Sequence, residues 1–502
     1  MKIIRLNKLI IYLYPNPKQI FDLLYMLFFI GLIIYFLFYI FNAYQSIIYP
    51  YQIGFGEGYV LNHADMLSKG HSLYNHNIST YPFLTAIYGP ICPLICAGLI
   101  KIFGVSFAPG RFLGMSEAIL IGALIYKIIQ EETKNNYNAV ISSLFFFASP
   151  YVYCQSRLYG EIVTLGMLFS LIGIYLVLKY EKTTKIYLSI PLFLLAVYTR
   201  QTFIAAAFAS FIYLFTKKQK SAVKYVLLYM LSGLFIFLLA NHVTDGQFYR
   251  HMIQYNIHQF NIFFMVIGYV RAILLHSILF GFAAAYALYV LSKKQLSLFV
   301  IYFLISAGVA VTIGKAGSGG SSYMFELITV SYILFGMFFN EIKPQINEKD
   351  SIMSVLIAVM LILQLILFAH APFVADSPFE ASKTPTHADV LNSQKVSLYI
   401  KNASGPVLSE DAGFALLNDK EVLLEPFVFT QLYKQGMWDQ KKLVGDIHDR
   451  KFSLILLKFD LNENDSERFT KEMLNEMRKN YYFVDKIGDN YIYKPKTFSE
   501  AN

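Results

Sequence analysis

Seven ionisable side chains lie inside long apolar runs or at their ends: Glu117, Arg157, Glu161, Arg200, Arg271, Lys315 and Glu326. Each costs about 2.5–3.5 kcal/mol to insert into a bilayer, so each asks for a chemical reason. Arg157, Arg200 and Lys315 are cations of the kind that hold a phosphate or pyrophosphate through charge-assisted hydrogen bonds. Lys315 stands beside the loop Gly317–Ser322, just before a helix start, where free backbone N–H groups suit an anionic oxygen. Glu57 lies in Gly54-Phe55-Gly56-Glu57-Gly58-Tyr59, where the glycines allow tight backbone geometry next to an acid. A carboxylate between a cationic phosphate site and solvent can act as general base on an acceptor hydroxyl. Asp65, two helical turns on, is either a second acid or a solvated one. The plainer readings stand beside these: Arg157 and Glu161 are four apart and can neutralise each other, and Lys315 can snorkel to the interface. His63, His71 and His76 have no recognised metal-ligand spacing, so no resident cofactor is expected, and a divalent ion is an option without a ligand set.

The elements that must carry these residues follow from composition. The chain has 502 residues, 56% apolar, 17% aromatic and only 15% charged, against about 25% charged in soluble globular proteins. Apolar runs recur from Phe21 to Phe368, which excludes a water-soluble enzyme, a disordered chain and a disulfide scaffold. Cys92, Cys96 and Cys154 all sit in apolar context and read as packing. The runs give eleven predicted spans, near 20–42, 110–130, 138–155, 160–179, 186–198, 202–216, 222–241, 264–291, 295–312, 323–341 and 351–370. With the N-terminus in the cytoplasm, the predicted inner loops hold seventeen Lys and Arg. The outer ones hold six: Lys69, Lys101, Arg157, Arg200, Arg250 and Lys315. This is the bias of the positive-inside rule, and it accounts for much of the +9 net charge without nucleic acid. The scheme requires that 84–103, with Pro90 and Pro93, lie along the surface rather than cross. Residues 50–109 then form one external loop, and five of the seven intramembrane charges fall at external ends.

The expected architecture is a polytopic α-helical membrane domain over residues 1–370, followed by a soluble extracytoplasmic α/β domain over 371–502. In the latter, Val407–Ser409, Val422–Leu424 and Leu454–Leu457 read as strands, and Glu467–Lys479 as an amphipathic helix. Neither a Walker loop nor a Rossmann fingerprint is present.

Several pieces resemble the GT-C superfamily of integral-membrane glycosyltransferases. They are Gly56-Glu57-Gly58-Tyr59, Leu67-Ser68-Lys69-Gly70-His71-Ser72-Leu73-Tyr74, Tyr88-Gly89-Pro90, Gly110-Arg111-Phe112, Ser149-Pro150, Arg157 to Glu161, Thr199-Arg200-Gln201-Thr202, and Lys315 with Tyr323 and Glu326. Within that superfamily the chain resembles the bacterial branch related to protein O-mannosyltransferases and lipid A aminoarabinose transferases. The resemblance implies a sugar donor on a polyprenyl phosphate, an envelope lipid, glycan or protein acceptor, and work on the external face of the cell (inner) membrane. It also implies a catalytic acid in the first external loop, at Glu57, with Glu161, Gln201, Tyr323 and Glu326 in support. Many relatives carry two adjacent acids there; this chain has Gly56 in the first place. The other classes weighed are a secondary transporter or lipid flippase, for which no internal repeat is seen, and a non-catalytic scaffold.

Overall fold

The computed structural model describes residues 17–74, 77–160, 162–218, 222–315, 321–348, 351–370, 384–462 and 467–496. Glu161, His76 and most of the Gly317–Ser322 loop lie outside them. Among the described residues the helices of the apolar part are α1 (Pro17–Ile48), α2 (Phe55–Ser68), α3 (Ile91–Phe103), α4 (Ala108–Thr133), α5 (Asn136–Ala148), α6 (Pro150–Ser156), α7 (Ile162–Tyr180), α8 (Ser189–Thr199), α9 (Ala205–Thr216), α10 (Ala222–Val243), α11 (Ile262–Leu275), α12 (Ser277–Ser292), α13 (Leu298–Val309), α14 (Ser321–Glu348) and α15 (Ser351–Ala369).

Six of these, α1, α4, α7, α10, α14 and α15, are long and apolar enough to cross a bilayer, or seven crossings if the pair α11–α12, bent by 92°, counts as one. The other expected spans correspond to shorter or broken apolar helices: α8, α9 and α13 have 11 or 12 residues, α8 being preceded by a 3₁₀ turn from Thr184 and α13 followed by one that ends at Gly314. The predicted span 138–155 is two helices, because Pro150 cannot continue the first and instead opens the second. Hydropathy reads composition and is blind to such breaks.

The breaks are chemically sealed. Where α11 passes into α12, the Gln364 side chain of α15 accepts from Ile278 N (3.0 Å) and Leu279 N (3.3 Å) and donates to Leu275 O (2.7 Å). One amide thus satisfies backbone groups that a bent helix frees in an apolar setting. His276 Nε2, at the bend, lies 2.9 Å from Ser149 Oγ, at the other break. α3, in the stretch expected to lie on the surface, buries Cys92, Cys96 and Ile100 and leaves Leu94, Ile102 and Phe103 exposed.

After residue 383 come α16 (His387–Lys401), β1 (Val407–Ser409), α17 (Ala412–Leu417), α18 (Pro426–Lys434), α19 (Lys441–His448), β2 (Leu454–Leu457), α20 (Lys471–Asn480), β3 (Tyr481–Ile487) and β4 (Asn490–Pro495). The sheet runs β1-β2-β4-β3, with β1 parallel to β2 and the other pairs antiparallel. β1 and β2 match the predicted strands, and the helix predicted over 467–479 begins later, capped by Thr470 Oγ1 accepting from Met473 N. Val422–Leu424 forms no strand of the sheet. It makes a single bridge to Phe83, with Phe83 N donating to Leu423 O (2.8 Å) and Glu425 N to Phe83 O (2.9 Å). The β3–β4 hairpin was not expected, although Gly488-Asp489 between two aromatic-rich runs is its signature.

Phe83, from the loop 50–109, is fully buried in the core of the C-terminal part, 5.1 Å from the Trp438 ring and 5.6 Å from Phe429. Large-to-small changes at such sites cost about 3–5 kcal/mol. Phe83→Ala is accordingly expected to lower the unfolding temperature and to speed proteolytic release of residues beyond 384, both measurable on the purified chain.

Candidate active site

α2 begins with an unusually saturated carboxylate. Glu57 Oε2 accepts from Ile53 N (2.6 Å), Gly54 N (3.0 Å) and Arg111 Nη2 (2.9 Å), while Oε1 accepts from Arg111 Nε (2.8 Å) and Tyr159 N (2.6 Å). Arg111 donates onward to Ser46 O (2.8 Å), Tyr49 O (2.6 Å) and Tyr51 O (2.6 Å), where α1 ends. Glu57 is 2% exposed and Arg111 0%. Burial pushes the Glu57 carboxyl up, but Arg111 and the backbone N–H groups outweigh it and hold the acid below the usual carboxylate range. With five donors on two oxygens, Glu57 has no lone pair to offer an acceptor hydroxyl. Glu57, expected as general base, is occupied in this geometry by Arg111 and backbone N–H groups, and it joins the end of α1, the start of α2, α4 and the Tyr159 turn.

On the other side of the α2 backbone lies a cavity of about 210 Å³. Phe55, Gly56, Tyr59 and His63 of α2 line it, with Thr85–Gly89, Lys315, Tyr323 of α14, and Glu425, Phe427 and Val428 from the C-terminal part. A Cβ on Gly56 would meet nothing within 4 Å, whereas one on Gly89 would fall 1.6 Å from Tyr198 O. Gly89 is thus required by the close approach of this loop to α8, and Gly56 is not required by packing.

Lys315 lines this cavity, and Arg200 packs against Tyr323 and Tyr88 of its wall. The Arg200 guanidinium lies over the Tyr323 ring (4.4 Å to its centre) and within 5.6 Å of the Tyr88 ring centre, and Nη2 donates to Ser322 Oγ (3.1 Å). Lys315 donates to Asn256 Oδ1. Asn256 Nδ2 and Gln201 Nε2 both donate to Ile87 O at 2.9 Å, and Gln201 also reaches Met252 O at 2.9 Å. Gln201 therefore positions the cavity wall. Burial, and then the nearby Arg200, push the Lys315 ammonium down to about 8. Two cations pressed together in a partly dry site favour an anion between them, which would bring Lys315 back up.

The remaining predicted residues sit elsewhere. Arg157 lies over the Tyr153 ring (4.5 Å), donates to Ser46 Oγ (3.3 Å) and has Glu57 and Arg111 as charged neighbours, so it belongs to their cluster. Asp65 pairs with Lys69 (2.6 Å) and faces a separate groove of about 920 Å³ with His71 and Lys420; it is not part of this cavity. Glu326 is buried in α14 and accepts from Tyr302 Oη (2.8 Å). Tyr323, by contrast, lines the cavity. Glu161 lies outside the described residues. Among those residues, no group of three His, Cys, Asp or Glu side chains is arranged to hold a metal ion. Two residues had no role in the sequence reading: Arg111, noted only within the Gly110-Arg111-Phe112 piece of the resemblance, and Glu425, for which no local signal exists.

Residues 88–244 match the family model described as dolichyl-phosphate-mannose-protein mannosyltransferase. The fold is similar to that of ArnT from Cupriavidus metallidurans in the apo state, with a TM-score of 0.60 at 8% identity, covering 92% of this chain and 97% of that one. ArnT from the same organism bound to undecaprenyl phosphate gives 0.59 at 9% identity, with the same coverage. The chain thus shares the fold of these ArnT structures. No curated protein matches the sequence. In this chain α2 carries a glycine where the cavity is open and a saturated glutamate beside it.

Removing one partner of a buried ion pair costs about 3–5 kcal/mol, because the other charge is left uncompensated. Glu57→Gln is therefore expected to reduce thermal stability sharply, and Glu57→Gln with Arg111→Met to recover part of the loss. The wild-type contribution is present above the ordinary carboxylate pKa and disappears as pH falls through the depressed folded value, so the gap between wild type and Glu57→Gln should close in acid.

Proposed function

We propose that this chain transfers a sugar from a polyprenyl-phosphate donor to an envelope lipid, glycan or protein acceptor, on the extracytoplasmic face of the cell membrane. The observation that carries this reading is a cavity lined by Lys315, with Arg200 close to Lys315 and packed on the Tyr88 and Tyr323 rings of its wall, at the junction of an apolar bundle with a sheet domain. Sugar transfer from such a donor breaks the bond between the anomeric carbon and a phosphate oxygen, and the leaving phosphate needs cations. Its lipid tail needs apolar surface, which the bundle supplies. The match to a dolichyl-phosphate-mannose-protein mannosyltransferase family model and the fold shared with an ArnT bound to undecaprenyl phosphate support the same donor class. With the eleven crossings read from the sequence, the lysine-rich loops support a cytoplasmic N-terminus and an extracytoplasmic position for the cavity and residues 384–496.

A direct attack by the acceptor hydroxyl on the anomeric carbon inverts the linkage, which product stereochemistry would reveal. Hydrogen bonds to charged groups contribute about 1.5–3 kcal/mol, or roughly ten- to hundredfold in affinity. Lys315→Ala and Arg200→Ala are each expected to weaken undecaprenyl phosphate binding by at least about tenfold, measured by calorimetry on the purified chain. Unchanged affinity in both variants would remove the phosphate assignment.

A further inference from the structure

We propose that Glu425, carried by the C-terminal sheet domain, is the catalytic base that receives the acceptor's proton; this rests on the sugar-transfer reading above. The cavity needs a group beside the acceptor hydroxyl to take its proton, and α2 offers no carboxylate: Gly56 is bare there, the Glu57 oxygens are spent, and burial pushes the His63 imidazole down to about 4, which makes it a weak acceptor. Among the described residues that line the cavity, Glu425 is the one carboxylate, and Lys315 and Tyr323 line the same cavity.

Its neighbours in the same docking face sharpen the contrast. Glu57 is paired with Arg111, Glu410 with Arg468, and Asp411 with Lys458 (2.8 Å). Glu425 has no cation in an ion pair among the described residues; its side-chain partner is the Thr85 hydroxyl at 3.3 Å. A half-buried carboxylate left without a counter-charge weakens the fold unless something is gained by it. Burial pushes its carboxyl up to about 8, with Thr85 pulling back only in part, so the group is poised near ambient pH.

The backbone holds this carboxylate in place. Tyr59 Oη of α2 donates to Glu410 O (3.0 Å) and Leu424 O (3.3 Å), and Glu425 N is tied to Phe83 O. Gln52 clamps the same face, accepting from Gly413 N (2.7 Å) and donating to Asp411 Oδ1 (3.0 Å). The step balances as follows. The acceptor O–H proton passes to a Glu425 carboxylate oxygen as the acceptor oxygen bonds to the anomeric carbon. The bond from that carbon to the phosphate oxygen breaks, and its electron pair leaves on the lipid phosphate beside Lys315 and Arg200.

The test is complementation of a deletion strain with full-length wild type, Glu425→Gln or Glu425→Asp. Envelope lipids and glycans are read by mass spectrometry, and each purified protein is titrated with undecaprenyl phosphate. A missing base costs about 100-fold or more in turnover. Glu425→Gln is expected to lose the product at least that far while binding undecaprenyl phosphate within twofold of wild type. Product near the wild-type level from Glu425→Gln would overturn the assignment. If the Gln variant does not bind the lipid, Glu425→Asp decides: binding kept with product reduced supports the role, and unchanged product overturns it. Wild type that neither restores a product nor binds undecaprenyl phosphate would instead sink the sugar-transfer reading, and the base with it.

Discussion

The buried pair of Glu57 and Arg111 is the constraint on which the working end of the molecule depends. Neither group meets solvent, and both exhaust their hydrogen-bonding capacity on four separate stretches of chain. Such a pair contributes little net energy over an apolar substitute, but it demands one geometry, since every donor and acceptor is already assigned. The first turn of α2, which supplies Phe55, Gly56 and Tyr59 to the cavity, is set by a carboxylate that does not itself face the cavity.

The second constraint is close docking of the sheet domain. A Cβ on Gly58 would come 2.4 Å from Gly413 N and 2.1 Å from Gln52 Oε1, so two glycines allow α2 and the start of α17 to approach at backbone distance. That contact brings Glu425 and Phe427 over a site whose other walls belong to the membrane part. Phe83 makes the reverse journey, from the membrane part into the core of the sheet domain. Residues 1–370 and 371–502 are thus separable in composition and interleaved in packing.

Sequence reasoning reached what depends on local pattern. Apolar runs, the lysine bias, β1, β2 and the cationic cluster of Arg200 and Lys315 all leave marks within a few residues. Helix length was less legible, because a proline or a histidine can end a helix inside a run that averages as one span, as at Ser149-Pro150 and His276. Glu57 looked like a base since flanking glycines and an acid suggest chemistry; its occupation by Arg111, 54 residues away, is a tertiary fact. Glu425 was invisible for the same reason. Its meaning comes from a loop 340 residues earlier in the chain.

The bend at His276 has a bearing on how the chain is made. Ile278 and Leu279 emerge from the ribosome well before Gln364, their partner 86 and 85 residues downstream. Until α15 enters the bilayer, that corner must keep water, lipid headgroups or the insertion machinery around its bare amides. A segment synthesised well after the bend is therefore the one that dries it, and the bend cannot be completed from its N-terminal side alone.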